Sequence, residues 1–291
     1  MGTVIRTMPS FVDDIVVVDD CSTDSTLESV SAEKDLRVTL VRHEVNQGLG
    51  ATLIDAHREA MRLGADISVV MAGDAQMDPA YLPALLDPIV EDGYEFTKGN
   101  RFFSATSWKG MPGHRIFGNI LLTFLTKVAT GYWDIFDPQN GYTAMARQAQ
   151  LEVDWDAVAR DYSFENDVLA QLGLNGRRVK DVNIPAVYGE ESSHIRLWKV
   201  VPSLLLTLRR AFWRRIMTNY VIESFSPVAL FMFSGLALLV WSVAFGAWVV
   251  AQRIGGVSPT TATVMIAVLP LLVGFELLLA ALVLDIMNTP K

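Results

Sequence analysis

The chain has 291 residues, 51% of them hydrophobic and only 19% charged, with a net charge of −8. That apolar content excludes a disordered or collagen-like chain, and the acidic balance argues against a general nucleic-acid binder. A single cysteine, Cys21, excludes an intramolecular disulfide framework or a multi-cysteine zinc module.

Met1–Val12 reads as a helix fragment ending at Pro9. Ile15-Val16-Val17-Val18 is a short, fully apolar run ending in Asp19-Asp20, the pattern of a buried parallel strand. Ser25–Lys34 is then predicted helical, Val38–Val41 a strand, Ala51–Leu63 a helix closed by Gly64, and Ile67–Met71 a third strand before Ala72-Gly73-Asp74. Pro79–Glu91 reads as a helix and Phe96–Gly99 as a further strand. This rhythm predicts an α/β domain over 1–194, an open, mostly parallel sheet with helices on both faces. Such a domain ordinarily opens with a strand, so one is expected ahead of Met1.

Between Ile195 and Ile222 stand Arg196, Lys199, Arg209, Arg210, Arg214 and Arg215 with no acid. Apolar residues from Leu197 to Phe212 recur there at helical spacing, which predicts a basic amphipathic segment over 195–223 at a lipid interface; a plain basic flank is the alternative. Over 224–291 two apolar runs, Pro227–Ala251 and Thr261–Leu284, flank a turn-rich link holding Arg253. Each is long enough to cross a hydrocarbon core of ~30 Å, and together they predict a transmembrane hairpin. A pair of buried helices in a soluble core is the competing reading. The positive-inside rule places the first domain and the C-terminus in the cytoplasm of a multi-pass membrane protein. Asp285 is expected near the interface. Glu276 lies deeper, where an acid pairs within an oligomer or is protonated.

Ligands of open α/β sheets bind beyond the carboxyl ends of the strands, and there Asp19, Asp20, Asp74, Gln76 and Asp78 gather. Hard cations prefer carboxylate and phosphate oxygens, so the two acidic clusters suggest a divalent cation and a phosphorylated ligand. Asp24 and Asp78 fit helix capping equally well. The four histidines, His43, His57, His114 and His194, show no ligand spacing. Asn46-Gln47-Gly48-Leu49-Gly50 lacks the third glycine of a dinucleotide fingerprint.

Seven segments in this order, followed by the hairpin, resemble the family-2 glycosyltransferases, specifically the polyprenyl-phosphate (dolichyl-phosphate) hexose synthases. They are Val16–Thr26, Asn46–Gly50, Gly73–Pro79, Lys98–Arg101, Asp137–Tyr142, and Phe164–Asp167 with Ile184–Gly189. The resemblance implies a GT-A-like nucleotide-sugar fold and inverting transfer of glucose or mannose from UDP-glucose or GDP-mannose to a polyprenyl or dolichyl phosphate. It also implies Mg²⁺ or Mn²⁺ as cofactor. Carried over by position, Asp20 would bind the nucleotide with Asp19 supporting the loop, and Asp74 and Gln76 would hold the metal. Arg101 and Arg115 would meet phosphates, whose oxygens suit a guanidinium fork. Asp137 and Gln139 would face the acceptor, and Glu165 and Asp167 match a further acidic pair. Three departures are visible: Ala72 where relatives often carry an acid, Thr143 where they often carry an arginine, and the absence of their opening strand and nucleotide loop before Met1. Two other readings stand beside the synthase. One is a membrane-anchored, catalytically impaired nucleotide-binding scaffold; the other is a glycosyltransferase with another lipid or polysaccharide acceptor. A homo-oligomer fits any of them.

Overall fold

The computed structural model describes residues 1–103, 113–185 and 197–290, for 114, 115 and 197–199 their backbone only. Contacts divide the chain into two units, Met1–Trp213 and Arg214–Thr289.

The first unit opens with α1 (Gly2–Thr7) and continues β1 (Ile15–Asp19), α2 (Thr26–Ala32), β2 (Val38–Arg42), α3 (Leu49–Leu63) and β3 (Ile67–Val70). A 3₁₀ turn at Pro79–Tyr81, capped by the Asp78 carboxylate on the Ala80 N–H, leads into α4 (Leu82–Val90) and β4 (Phe96–Asn100). Then come α5 (Gly113–Thr130), β5 (Thr143–Ala146), α6 (Arg147–Glu152), α7 (Phe164–Leu174), β6 (Val179–Asn183) and α8 (Leu197–Arg215). The elements read from apolar periodicity up to Asn100 stand within a few residues of their expected bounds.

Their assembly differs from a mostly parallel single sheet. β1 and β2 pair in parallel by themselves, and the other strands form a second sheet in the order β3-β5-β4-β6. In that sheet β5 runs antiparallel to both β3 and β4, while β6 is parallel to β4. The sheet is therefore mixed, because β5 enters between β3 and β4 after a long excursion through α5. Among the described residues no strand pairs with the outer edges of β1 and β3. Met1 and Ile5 pack with Val17 of β1 and Val30 of α2, while Met8 and Val12 join Ile67, Val69 and Met71 around Leu82 and Leu85. The N-terminal segment thus contributes to both clusters.

The main core gathers Ile54 of α3, Phe96 of β4, Met145 of β5 and Leu169 and Leu172 of α7. The other face of the four-stranded sheet is covered by α4 through Leu82 and Leu85. Leu204 and Leu208 of α8 are buried against Ala129 of α5, whereas Arg209 and Arg210 are exposed, so α8 is amphipathic as its spacing predicts.

The second unit holds a π-helical turn at Ile216–Ile222, α9 (Pro227–Ile254) and α10 (Thr261–Met287). α9 and α10 are long and apolar enough to cross a membrane. Their large side chains face outward, Trp241, Leu269 and Phe275 among them at 54%, 55% and 58% exposure, which a pair of buried core helices would not show. The two helices touch through small residues. A Cβ on Gly274 would lie 2.9 Å from the Gly235 carbonyl oxygen, and one on Gly235 2.8 Å from that of Gly274. The Ser242 hydroxyl donates to the Ala267 carbonyl at 2.5 Å. Close backbone approach of this kind is how helices pack where water supplies no driving force. Arg215 departs from its expected place among lipid-facing cations. It is buried and forks onto Asp285 at 2.6 and 3.1 Å, with the Tyr220 hydroxyl donating to the same carboxylate at 2.5 Å. Asp285 is correspondingly buried.

Candidate active site

Two loops at strand ends carry the expected acids, and both force a non-glycine residue into the left-handed region: Cys21 at φ 61° after Asp20, and Ala75 at φ 63° after Asp74. Such conformations cost of order 1–3 kcal/mol and persist where surrounding bonds impose them. Here the bonds are visible. Asp19 is buried; one oxygen accepts from the Ser22 N–H at 3.3 Å and the other faces Arg42 at 3.8 Å. Asp20 accepts from the Gln47 and Gly48 N–H groups, both at 2.8 Å, and from His43 Nδ1 at 2.8 Å. Burial works against its charge, but the hydrogen bonds from Gln47, His43 and Gly48 hold its carboxyl below the usual range. Asp20 therefore clasps the loop that starts α3, keeping one lone pair on Oδ2 for a ligand.

His43 is one of the residues sequence reasoning missed. It is buried, with Nδ1 on Asp20 and Nε2 on Asp55 at 3.0 Å. Two carboxylate acceptors require two ring N–H donors, which is the imidazolium form. The bond to Asp20 is the main cause that raises its pKa, against burial, with Asp55 assisting.

In the second loop Asp74 is exposed and one of its oxygens accepts from the Gln76 N–H at 2.9 Å. The Ala72 N–H meets the Met77 sulfur at 3.2 Å. Asp24, like Asp78, takes a capping role, accepting from the Thr26 N–H at 3.0 Å. Among the described residues no three His, Cys, Asp or Glu side chains converge as an all-protein metal cage needs. One exposed carboxylate with an oxygen to spare instead fits a hard cation that completes its shell with phosphates and water, as Mg²⁺-type sites do.

A charged core lies behind β4. Asp137, 1% exposed, receives the Arg101 guanidinium in a fork, Nε to Oδ2 at 2.7 Å and Nη2 to Oδ1 at 3.0 Å, and the Arg101 backbone N–H at 3.2 Å. Lys98, fully enclosed in the strand, donates its ammonium to the Asn140 carbonyl. Burial lowers its pKa, and the nearby Glu165, Asp137 and Asp181 oppose that. Glu165 is shifted up by burial and partly restored by Lys98. Asp181 of β6 accepts from the Phe136 N–H at 2.7 Å and from Asn100 at 3.0 Å; burial pushes its carboxyl up to about 6. Gly99 is required here: a Cβ would sit 2.7 Å from the Asn140 amide nitrogen, which instead donates to the Gly99 carbonyl.

The segment 137–142 joins these parts. The Gln139 amide donates to Asn166 of α7 at 3.1 Å, and the Tyr142 hydroxyl donates to the Asp78 carbonyl at 3.0 Å. A Cβ on Gly141 would come within 3.7 Å of Met77 and 3.8 Å of Glu165. The Asp74 loop, Gln139 and Glu165 thus share one neighbourhood with Arg101 and Asp137. Asp167 faces another way, accepting from the Ala159 N–H at 2.9 Å, and Thr143 is buried within β5. The side chain of Arg115 lies outside the described residues. Asp181 was not singled out from sequence, and Lys98 and Asn166 stood there only inside matched segments with no role of their own; the signal for Lys98 was a lone cation inside a short strand, between Thr97 and Gly99.

The model of glycosyl transferase family 2 matches residues 3–152. A UDP-N-acetylglucosamine–dolichyl-phosphate N-acetylglucosaminyltransferase of Methanococcus voltae is 30% identical over 194 residues, covering 62% of this chain and 77% of its own. An undecaprenyl-phosphate mannosyltransferase of Micrococcus luteus is 27% identical over 190 residues, 61% and 73% of the two chains. Among solved structures, glucosyl-3-phosphoglycerate synthase of Mycobacterium tuberculosis, in complex with Mn²⁺, UDP and phosphoglyceric acid, aligns with a TM-score of 0.53. It is 19% identical, covering 74% of this chain and 72% of that one, and carries the fold alone. The α/β unit has the GT-A-like fold.

Proposed function

The chain belongs to glycosyl transferase family 2, and from that premise we propose that it transfers a sugar from a nucleotide sugar to a polyprenyl phosphate at the cytoplasmic face of a membrane. The observation that carries the reading is one chain holding both a family-2 unit and two long, outward-facing apolar helices. The two relatives named above act, by their names, on dolichyl and undecaprenyl phosphate. In this reading 1–194 is the transferase domain, 195–223 lies at the lipid interface, and 224–291 is the hairpin, with the basic α8 keeping the domain cytoplasmic.

The acceptor phosphate is anionic near neutral pH, so it attacks the anomeric carbon without a strong base. The new bond is from phosphate oxygen to that carbon, with inversion, and the bond broken is to the nucleoside diphosphate. Asp20 holds the Gln47–Gly48 loop against the nucleotide, supported by Asp19 and His43. Asp74 and Gln76 would hold a divalent cation, Mg²⁺ or Mn²⁺, which would offset the charge growing on the leaving nucleoside diphosphate. Arg101, oriented by Asp137, and Arg115 meet phosphate oxygens, while Gln139, anchored on Asn166, orders the acceptor side.

The test is sugar transfer into organic-extractable lipid. Membranes holding the full chain receive polyprenyl phosphate, Mg²⁺ or Mn²⁺, and labelled UDP-N-acetylglucosamine, UDP-glucose or GDP-mannose in turn. Label is expected in lipid with one donor and to fall about a hundredfold or more in Asp74→Asn. Silence with every donor, with nucleotide still bound, would overturn the synthase in favour of the impaired scaffold that Ala72 suggests.

A further inference from the structure

The buried ring of His43 joins three elements. It follows β2, and its backbone N–H donates to the Asp19 carbonyl at the end of β1 at 2.9 Å. Nδ1 meets Asp20 Oδ1 just past β1 at 2.8 Å, and Nε2 meets Asp55 Oδ2 on α3 at 3.0 Å. The other charges around it are engaged or turned out: Arg42 faces Asp19 at 3.8 Å, Arg58 faces Asp55 at 3.5 Å, and Glu44 is exposed. Asp20 Oδ1 takes both the ring and the Gln47 N–H, while Oδ2 takes the Gly48 N–H. The ring therefore completes Oδ1 and fixes the plane in which the remaining Oδ2 lone pair points. Only the imidazolium can donate to both carboxylates. A neutral ring has one N–H for which Asp20 and Asp55 compete, and whenever Asp55 holds it a ring lone pair faces Asp20 Oδ1. The positive charge between the two carboxylates is lost in either tautomer.

We infer that His43 is a positioning residue whose proton regulates donor binding: the charged ring, anchored on Asp55, holds Asp20 and the Gln47–Gly48 loop in the binding arrangement, and loss of that proton loosens both and weakens the hold on the nucleotide. The inference rests on the proposed role of this loop at the nucleotide sugar. The direction of the effect follows from the surroundings of the ring. The bond to Asp20 is the main cause that raises the His43 pKa, with Asp55 adding to it against burial. The ring therefore stays charged past its ordinary 6.5, and donor affinity falls as pH rises into the alkaline range.

The experiment measures equilibrium binding of labelled UDP-N-acetylglucosamine, UDP-glucose and GDP-mannose to the full chain in detergent with Mg²⁺, from about pH 7 to 9. A Cys21→Ser background removes the thiol beside Asp20, which would ionise in the same range. With the donor that binds, affinity is expected to fall about fivefold or more as pH rises. The amide of His43→Asn sits near the place of Nδ1 and bonds Asp20 without titrating, so its affinity should not change with pH. It should bind about tenfold more tightly than His43→Gln, whose longer amide reaches Asp55 instead. Asp55→Asn leaves Asp20 intact and removes a charge that raises the His43 pKa, so the midpoint of the affinity loss should move to lower pH. A flat wild-type profile, an unmoved midpoint in Asp55→Asn, or His43→Gln binding as well as His43→Asn would overturn the inference; the last would reduce His43 to a tie between β2 and α3. No donor bound at any pH would refute the donor reading itself, and the inference with it.

Discussion

Replacing His57 by phenylalanine should remove a defined part of the acid sensitivity of the α/β unit. His57 is 3% exposed, stacked on Trp155 with ring centroids 4.8 Å apart, and its Nδ1 lies 3.0 Å from the Ser68 hydroxyl. Among the described residues no carboxylate pairs with it, and burial, opposed only by a hydrogen bond with Gln150, lowers its pKa to about 4 from the ordinary 6.5. Below about pH 6.5 the unfolded chain takes up a proton at this site that the folded chain refuses until near pH 4. Folding stability therefore falls as pH falls through that window. A gap of this size is worth about 3 kcal/mol in full, of which about 2 kcal/mol is lost between pH 7 and pH 5. Asp181, raised to about 6, acts in the opposite sense, since its folded form holds a proton that the unfolded carboxylate has released. It does so equally in both proteins and cancels from their difference. Urea unfolding of the full chain in detergent, followed by tryptophan fluorescence at pH 7, 6 and 5, gives the comparison. The wild type should lose about 2 kcal/mol more than His57→Phe across that range. Parallel pH dependences would refute the assignment of His57 as a buried neutral imidazole.

Two further substitutions probe the charged core and the hairpin. Arg101→Gln strips two charge-assisted bonds from the buried Asp137 and should cost about 2 kcal/mol, less than a fully enclosed pair because Arg101 is 35% exposed. Asp137→Asn should cost less, since the released guanidinium can turn to water; equal losses in denaturant unfolding would contradict this asymmetry. Gly274→Leu drives a side chain into the Gly235 carbonyl and the Leu239 N–H, 2.9 and 3.2 Å from a Cβ there. The helices must part, at about 1–3 kcal/mol, and thermal aggregation in detergent should begin at a lower temperature than for Gly274→Ala.

Short β-rich runs of four or five residues were enough to place β1, β2, β3 and β4, because strand and helix periods are local properties of neighbouring side chains. The two spans were legible for the same reason: length and the lack of charge decide whether a helix can sit in hydrocarbon. The second half of the α/β unit was not legible, since β5 is four residues long and carries Thr143 and Ala144, with no period to betray it. Its antiparallel entry between β3 and β4 is what makes the sheet mixed.

What the sequence determined by itself was the family signature, the acids at the strand ends and the division between a charged first part and an apolar last part. Only the tertiary structure decided which charges meet. Lys98 reaches Asn140, Asp181 accepts from Asn100, and Arg215 crosses 70 positions to Asp285. Whether a cation is left exposed, as Arg209 and Arg210 are, or is buried in an ion pair, as Arg215 is, depends on a partner from a distant element. Pairing of that kind follows from long-range packing, and no local period encodes it.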